Sequence, residues 1–399
     1  MNLDKLKAAA EADVRGKRVL VRADLNVPVR DGVVSDATRL ERLVPGLQDL
    51  MRRGATVVLM SHFGRPKERE PEFSLIPVAA RLGDLLETEV AFVPDCIGPQ
   101  VADAVKTLKP GQVAVLENLR FNKGEEANDR AFAAGLAKLG DLYVNDAFSA
   151  AHRAHASTAA LAQLLPAYAG PLMMAEINAL RTALDRPQRP TAAVVGGAKV
   201  STKIPVLKHL ISKVDKLIIG GGMANTFYLA EGVNVGRSLA EPDFRHMALE
   251  IMRTAKDHGC AIVLPPDAVV AKEFKAGAPS AVAKILEVPA DGMILDVGPH
   301  SVSHFIDVIK ECRTLLWNGP LGAFEIEPFG EGTFAVAQAV ADLTKKGKLV
   351  SIAGGGDTVA ALNDAGVTED FTYVSTAGGA FLEWIEGREL PGIVALTQS

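Results

Sequence analysis

In the first half of the chain, cationic side chains recur just after short apolar runs. Arg22-Ala23-Asp24-Leu25-Asn26 closes one run, Ser61-His62-Phe63-Gly64-Arg65-Pro66 a second and Glu117-Asn118-Leu119-Arg120-Phe121 a third. A fourth ends in Asn145-Asp146-Ala147-Phe148, followed by His152-Arg153-Ala154-His155. Arg39, at the start of a helical pattern, could join them. Guanidiniums aimed at one crevice repel each other, and a low local dielectric sharpens the repulsion. An anionic ligand relieves it. The planar fork of Arg matches phosphate and carboxylate through paired hydrogen bonds. A single Arg of this kind reads as an ordinary ion pair. Repetition at successive run ends reads as a site for a small anion.

The second half has glycine at the same positions: Gly196-Gly197-Ala198-Lys199, Gly220-Gly221-Gly222, Asn318-Gly319-Pro320, Gly354-Gly355-Gly356-Asp357-Thr358 and Ala377-Gly378-Gly379. Glycine lets backbone N–H groups come close to a ligand and take positive φ. At a helix N-terminus such N–H groups favour phosphate. Asp357 would repel that phosphate unless a cation lies between them, and Mg²⁺ binds in this way, through one carboxylate and phosphate oxygens. The bland reading of Asp357 is a helix N-cap. Lys199 and Lys203, four residues apart, are expected on one helix face as phosphate contacts. The Walker A, dinucleotide and protein-kinase patterns are absent. So is any evident covalent nucleophile. The two halves together suggest phosphoryl transfer between a nucleotide and an anionic partner.

These residues need a scaffold that brings run ends together. The runs lie at 18–27, 55–60, 113–116 and 142–144, then at 192–195, 216–219, 261–264, 314–317, 349–353 and 371–374. Amphipathic stretches separate them, such as 38–53 with Leu40, Leu43, Leu47, Leu50 and Met51 on one face. This alternation predicts an α/β fold of two lobes, each a doubly wound parallel sheet flanked by helices, with ligands beyond the carboxyl ends of the strands. The 48% hydrophobic content, 5% aromatics and 36 glycines among 399 residues agree with it. A helical pattern at 172–184 precedes Pro187 and Pro190 and reads as a helix joining the lobes. The expected parts are an anion-binding lobe over 1–170, the interlobe helix and hinge over 171–187 and a nucleotide lobe over 188–380.

A formal net charge of -5 argues against nucleic acid as a partner. Cys96, Cys260 and Cys312 are widely spaced, which suits a reducing cytoplasm better than a disulfide framework or zinc site. The longest charge-free run, 154–175, carries His155, Gln163, Pro166, Gly170 and Pro171 and is a poor membrane span. The charged N-terminal stretch does not read as a signal peptide.

The segments RADLNVP (22–28), SHFGRP (61–66), ENLRF (117–121), NDAFSAAHRAHAST (145–158), GGAKVSTK (196–203), GGGMANTF (220–227), WNGPLGAFE (317–325), GGGDT (354–358) and STAGGA (375–380) follow one another in the order seen in phosphoglycerate kinases. The chain resembles that family along nearly its whole length. The resemblance implies reversible phosphoryl transfer from 1,3-bisphosphoglycerate to MgADP, giving 3-phosphoglycerate and MgATP. It implies an acid site at Asp24, Leu25, Asn26, Arg39, His62, Phe63, Gly64, Arg65, Arg120 and Arg153, with Arg22 and His155 in the same basic patch. It implies nucleotide contacts at Lys203, Asn318, Glu325 (on the ribose), Gly355, Gly356, Asp357 and Thr358, with Asp357 on Mg²⁺. Arg39 and Lys199 match residues that act on the transferring phosphoryl group. The resemblance further implies a monomer whose residues 381–399 return to the N-terminal lobe. Two sites on two lobes must meet for in-line transfer, so closure about the linker is expected when both ligands bind. Ala377 departs from the family's usual glycine, and a positive φ there would strain it. A non-catalytic relative should have lost a charged catalytic position, yet Arg39, Lys199, Lys203 and Asp357 are all present.

Overall fold

The computed structural model describes residues 2–398, which form two compact units. One comprises residues 2–177 and 389–398, the other Asn178–Arg388. The helix Pro171–Leu184 carries the chain from the first to the second.

The first unit contains β1 (Arg18–Ala23), a hairpin of β2 (Val29–Arg30) and β3 (Val33–Val34), then β4 (Thr56–Met60), β5 (Val90–Val93), β6 (Val113–Leu116), β7 (Leu142–Asp146) and β8 (Ala167–Ala169). Apart from the hairpin, these strands form one sheet in the order β5-β6-β4-β1-β7-β8, with every neighbouring pair parallel. Residues of β4, β6 and β7 are buried throughout. Helices cover both faces, which is why these strands read as unbroken apolar runs rather than as alternation. The helix Thr38–Arg52 buries Leu40, Leu43, Leu47 and Leu50 as one stripe. Asp36 starts it by accepting the Thr38 N–H at 2.9 Å.

The second unit contains β9 (Thr191–Val195), β10 (Lys216–Ile219), β11 (Ala261–Val263), β12 (Asp267–Ala271), β13 (Ser280–Lys284), β14 (Met293–Val297), β15 (Thr314–Asn318), β16 (Val350–Gly354) and β17 (Tyr373–Ser375). Its main sheet runs β11-β10-β9-β15-β16-β17 and is also parallel throughout. Trp317, Phe305, Leu315 and Val336 lie in the core beside it.

The structure adds elements that the apolar runs did not mark. Strands β12, β13 and β14 form a small antiparallel sheet. β13 is almost wholly exposed. β5 and β8 are short and partly exposed. β1 stops at Ala23, short of the run's end at 27, because the Leu25 N–H turns from the ladder to Ser61 Oγ, 3.0 Å away. The C-terminal segment also divides later than residue 381. The helix Gly379–Ile385 belongs to the second unit, whereas Pro391–Thr397 packs in the first, where the Gly392 N–H meets the Ala151 carbonyl at 2.9 Å.

Candidate functional site

In the first unit the four central strands, β6, β4, β1 and β7, are neighbours, so the loops beyond their carboxyl ends are adjacent. They enclose a cavity of about 250 Å³. Asn26, His62, Gly64, Arg65, Arg120 and Arg153 line it, with Arg22, Ser149, His152 and His155. Each loop is tied to the next. Asn26 Oδ1 accepts the Gly64 N–H at 2.9 Å, and Arg120 Nη1 donates to the Gly64 carbonyl at 2.6 Å. Arg120 Nε also lies 3.1 Å from Glu126. Arg65 and Arg153 are exposed, and Arg65 forms no ion pair among the described residues.

The electrostatics of this cavity disfavour positive charge. Burial pulls the His62 imidazole down to about 2, helped by the charges of Arg22 and Arg120. Burial pulls His155 down to about 4, with Arg120 adding to the effect. Arg120 is lowered by burial. Positive charge is therefore costly here until negative charge arrives.

Asp24 and Arg39 stand beside this cavity rather than on its wall. Arg39 Nη1 is 3.2 Å from Asp24 Oδ2 and 2.8 Å from the Asn26 carbonyl. Ser149 donates to Asp24 at 2.6 Å. Leu25 and Phe63 are core residues, at 0% and 7% exposure, so only their backbones are near. Ser149 and Ala150 are the wall residues that counting cations did not single out. Both lie inside the 145–158 motif.

The second unit repeats the arrangement. Its four central strands, β10, β9, β15 and β16, are again neighbours. The loops after β9, β15 and β16 enclose a cavity of about 290 Å³, lined by Gly196, Gly197, Lys199, Lys203, Asn318, Gly355, Gly356, Asp357 and Thr358. Small residues are obligatory where the loops touch. A Cβ on Gly196 would fall 1.8 Å from the Pro320 carbonyl oxygen. Gly355 takes φ 100° and lies against Asn318, whose amide a Cβ would meet at 2.6 Å. Asn318 is 2% exposed, donates to the Gly354 carbonyl at 2.7 Å and accepts from Lys203 Nζ. Thr358 Oγ1 accepts the Gly319 N–H at 2.7 Å. Burial lowers Lys203, and Asp357 opposes that shift.

Two expectations about this half need correction. Lys199 and Lys203 share no helix face. Lys199 is extended, the turn Val200–Thr202 follows, and Lys203 only caps the helix Ile204–Leu210. They converge because both line one cavity. Ala377 is not strained, since positive φ falls on Gly378, at 55°, and not on Ala377.

Asp357 is exposed on the first turn of the helix Gly356–Asp364. Among the described residues, no three His, Cys, Asp or Glu side chains group to hold a metal by themselves. A lone carboxylate facing a phosphate cradle fits a cation shared between protein and phosphate oxygens.

A larger cavity of about 520 Å³ adjoins the glycine loops. Ala198, Leu239, Pro265, Ile285, Met293, Leu295, Leu321 and Phe274 give it an apolar wall, and Glu325, Asp357 and Arg237 add polar groups. Its floor comes from the antiparallel sheet that the sequence did not reveal. Its lining suits a ligand with an apolar ring and a few polar groups, and Glu325 offers a carboxylate to it.

A phosphoglycerate kinase family model matches residues 9–388. The phosphoglycerate kinase of Rhizorhabdus wittichii is 61% identical over 385 residues, covering 96% of this chain and 97% of that protein. That of Sinorhizobium medicae is 59% identical, covering 97% of each. The solved phosphoglycerate kinase of Coxiella burnetii superposes with a TM-score of 0.93 at 44% identity, covering 98% of this chain and 99% of that one. That of Pyrococcus horikoshii OT3 gives 0.80 at 31% identity. The chain belongs to the phosphoglycerate kinase family.

Proposed function

We propose that this chain reversibly transfers a phosphoryl group from 1,3-bisphosphoglycerate to MgADP, with the acid held in the basic cavity of the first unit and the nucleotide in the glycine-lined and apolar cavities of the second. The observation that carries this reading is the parallel construction of the two units. In each, adjacent strand ends close a cavity, four in the first unit and three in the second, and one is lined by guanidinium and imidazole groups while the other is lined by glycine N–H groups and lysines.

His62, Arg65, Arg120 and Arg153 hold the phosphate and carboxylate of the acid, and Asn26 and the Gly64 backbone orient it. Lys203, Asn318, Gly355, Gly356 and Thr358 hold the nucleotide phosphates, and Glu325 the ribose. Asp357 would hold Mg²⁺. When bound, the metal neutralises negative charge on the nucleotide phosphates.

The attacking group is an ADP oxygen in one direction and a carboxylate in the other. Both are ionised near neutrality, so neither needs a general base. Direct in-line transfer then rests on positioning and on charge stabilisation of the equatorial oxygens, supplied by Arg39, Lys199 and the glycine N–H groups. Donor and acceptor bind different units, so direct transfer requires ligand-driven approach of the two, with 171–187 as the hinge. That approach would also exclude water.

The three cysteines are all free and buried. This supports our placing the enzyme in the cytoplasm, and we take it to act as a monomer. No helix among the described residues is long and apolar enough to cross a membrane. A coupled assay tests the function. ADP should form from ATP only when Mg²⁺ and 3-phosphoglycerate are both present. Hydrolysis of ATP without the acid, or tight binding of both substrates without turnover, would contradict it.

A further inference from the structure

One imidazole of the basic cavity has its proton placed by a buried neighbour. Arg22 is completely buried, and its Nη2 lies 3.0 Å from Nδ1 of His62. A guanidinium has only donors. Nδ1 must therefore accept, which puts the single imidazole proton on Nε2 and excludes imidazolium. Nε2 makes no bond to the protein among the described residues, and His62 lines the cavity.

Arg22 is itself fixed from behind. Its Nη1 donates to the Ala23 carbonyl at 2.7 Å and its Nε to Ser157 Oγ at 2.9 Å. Ser157 Oγ then donates to Glu125 Oε1 at 2.6 Å, while the Ser157 N–H meets Glu125 Oε2 at 3.0 Å. The Glu125 side chain has no exposed surface. The Ser157 carbonyl accepts from Tyr143 at 2.6 Å. Each donor in this chain is defined. Arg22 can only donate, so Ser157 has one hydrogen left, and it goes to Glu125. A buried permanent cation thus has a buried carboxylate as its counter-charge, one hydroxyl away.

We propose that Glu125, Ser157 and Arg22 are positioning residues that hold His62 as a neutral Nε2–H donor toward the bound acid. This rests on the basic cavity being the acid site. The largest influences on His62 act in one direction. Arg22, Arg120, Arg153 and His155 each oppose a proton on Nδ1, as does burial. The donor therefore keeps one orientation across the working pH range, where a free imidazole would interchange tautomers and titrate near 6.5.

The test is ¹H–¹⁵N correlation spectroscopy of the histidine-labelled full-length protein from pH 8 to 5.5, alongside kinetics. His62 should show an unprotonated Nδ1 and a protonated Nε2, without titration. In Glu125→Gln and Ser157→Ala it should become a tautomer mixture, and KM for 3-phosphoglycerate should rise about tenfold, the worth of one hydrogen bond to an anion, with little change in kcat. Ser157→Thr, which keeps the hydroxyl, should restore both. A protonated Nδ1, or titration near 6.5, in the unaltered protein overturns the proposal whether or not the variants fold. A fixed tautomer whose signals ignore saturating 3-phosphoglycerate removes the acid from this cavity, and with it the purpose of the donor.

Discussion

Arg39 is tethered by Asp24. Its Nη1 lies 3.2 Å from Oδ2 of that carboxylate, on the helix Thr38–Arg52 and beside the basic cavity rather than within it. A residue meant for the transferring phosphoryl group should be held near its place yet remain free to leave it. This pair suits that need, because the Arg39 side chain is 41% exposed and such pairs are weak, about 0–1 kcal/mol. Asp24→Asn should therefore lower kcat by only a few fold, since Ser149 and Asn26 still shape the loop. A loss as large as that of deleting Arg39 would mean that Asp24 contributes to the chemistry itself.

Arg65 lines the same cavity without an ion-pair partner among the described residues. Its charge is free for the acid before and during transfer. Steady-state kinetics of Arg65→Ala should show a raised KM for 3-phosphoglycerate and a kcat close to that of the unaltered enzyme. A kcat that falls in step with kcat/KM would assign Arg65 to the transition state instead.

Asn318 holds two loops of the second unit together through Lys203 and the Gly354 carbonyl. Asn318→Ala strands the buried Gly354 carbonyl and leaves the half-buried Lys203 without its acceptor. It should cost about 1–3 kcal/mol in denaturant unfolding and weaken ADP binding. Unchanged stability and unchanged ADP affinity by calorimetry would show that the amide organises nothing.

Asp357 is the carboxylate we assign to Mg²⁺. In Asp357→Ala, raising Mg²⁺ should recover turnover only partly, and affinity for MgADP should fall more than affinity for free ADP. Titrations in which the variant keeps the original Mg²⁺ requirement and nucleotide affinity would remove the metal from this residue.

Strand ends were readable because strands covered on both faces show as apolar runs, so the polar residues following them mark the sheet's carboxyl edge. Arg22, His62, Arg120 and Lys199 stand at such positions. Short β5 and β8 and exposed β13 are harder to read, because so short a stretch, even the apolar Val90–Val93, does not by itself distinguish a strand from a helix segment, and the apolar cavity built partly on the antiparallel sheet went unmarked with them. Leu25 and Phe63 sit inside functional motifs but face the core, which a linear motif does not distinguish. The spacing of Lys199 and Lys203 was misleading because a short turn and an extended residue replace the helix that the spacing suggested. The Glu125–Ser157–Arg22 chain spans 135 positions between Arg22 and Ser157, and no local pattern joins them.

The central claim is that charge stabilisation by Arg39 and Lys199, without a base or a covalent nucleophile, carries the transfer. The direct measurement is kcat at saturating ATP, Mg²⁺ and 3-phosphoglycerate for Arg39→Ala and Lys199→Ala. Loss of one transition-state donor predicts a fall of about 10²–10³ in each. Full turnover in either variant would contradict the account.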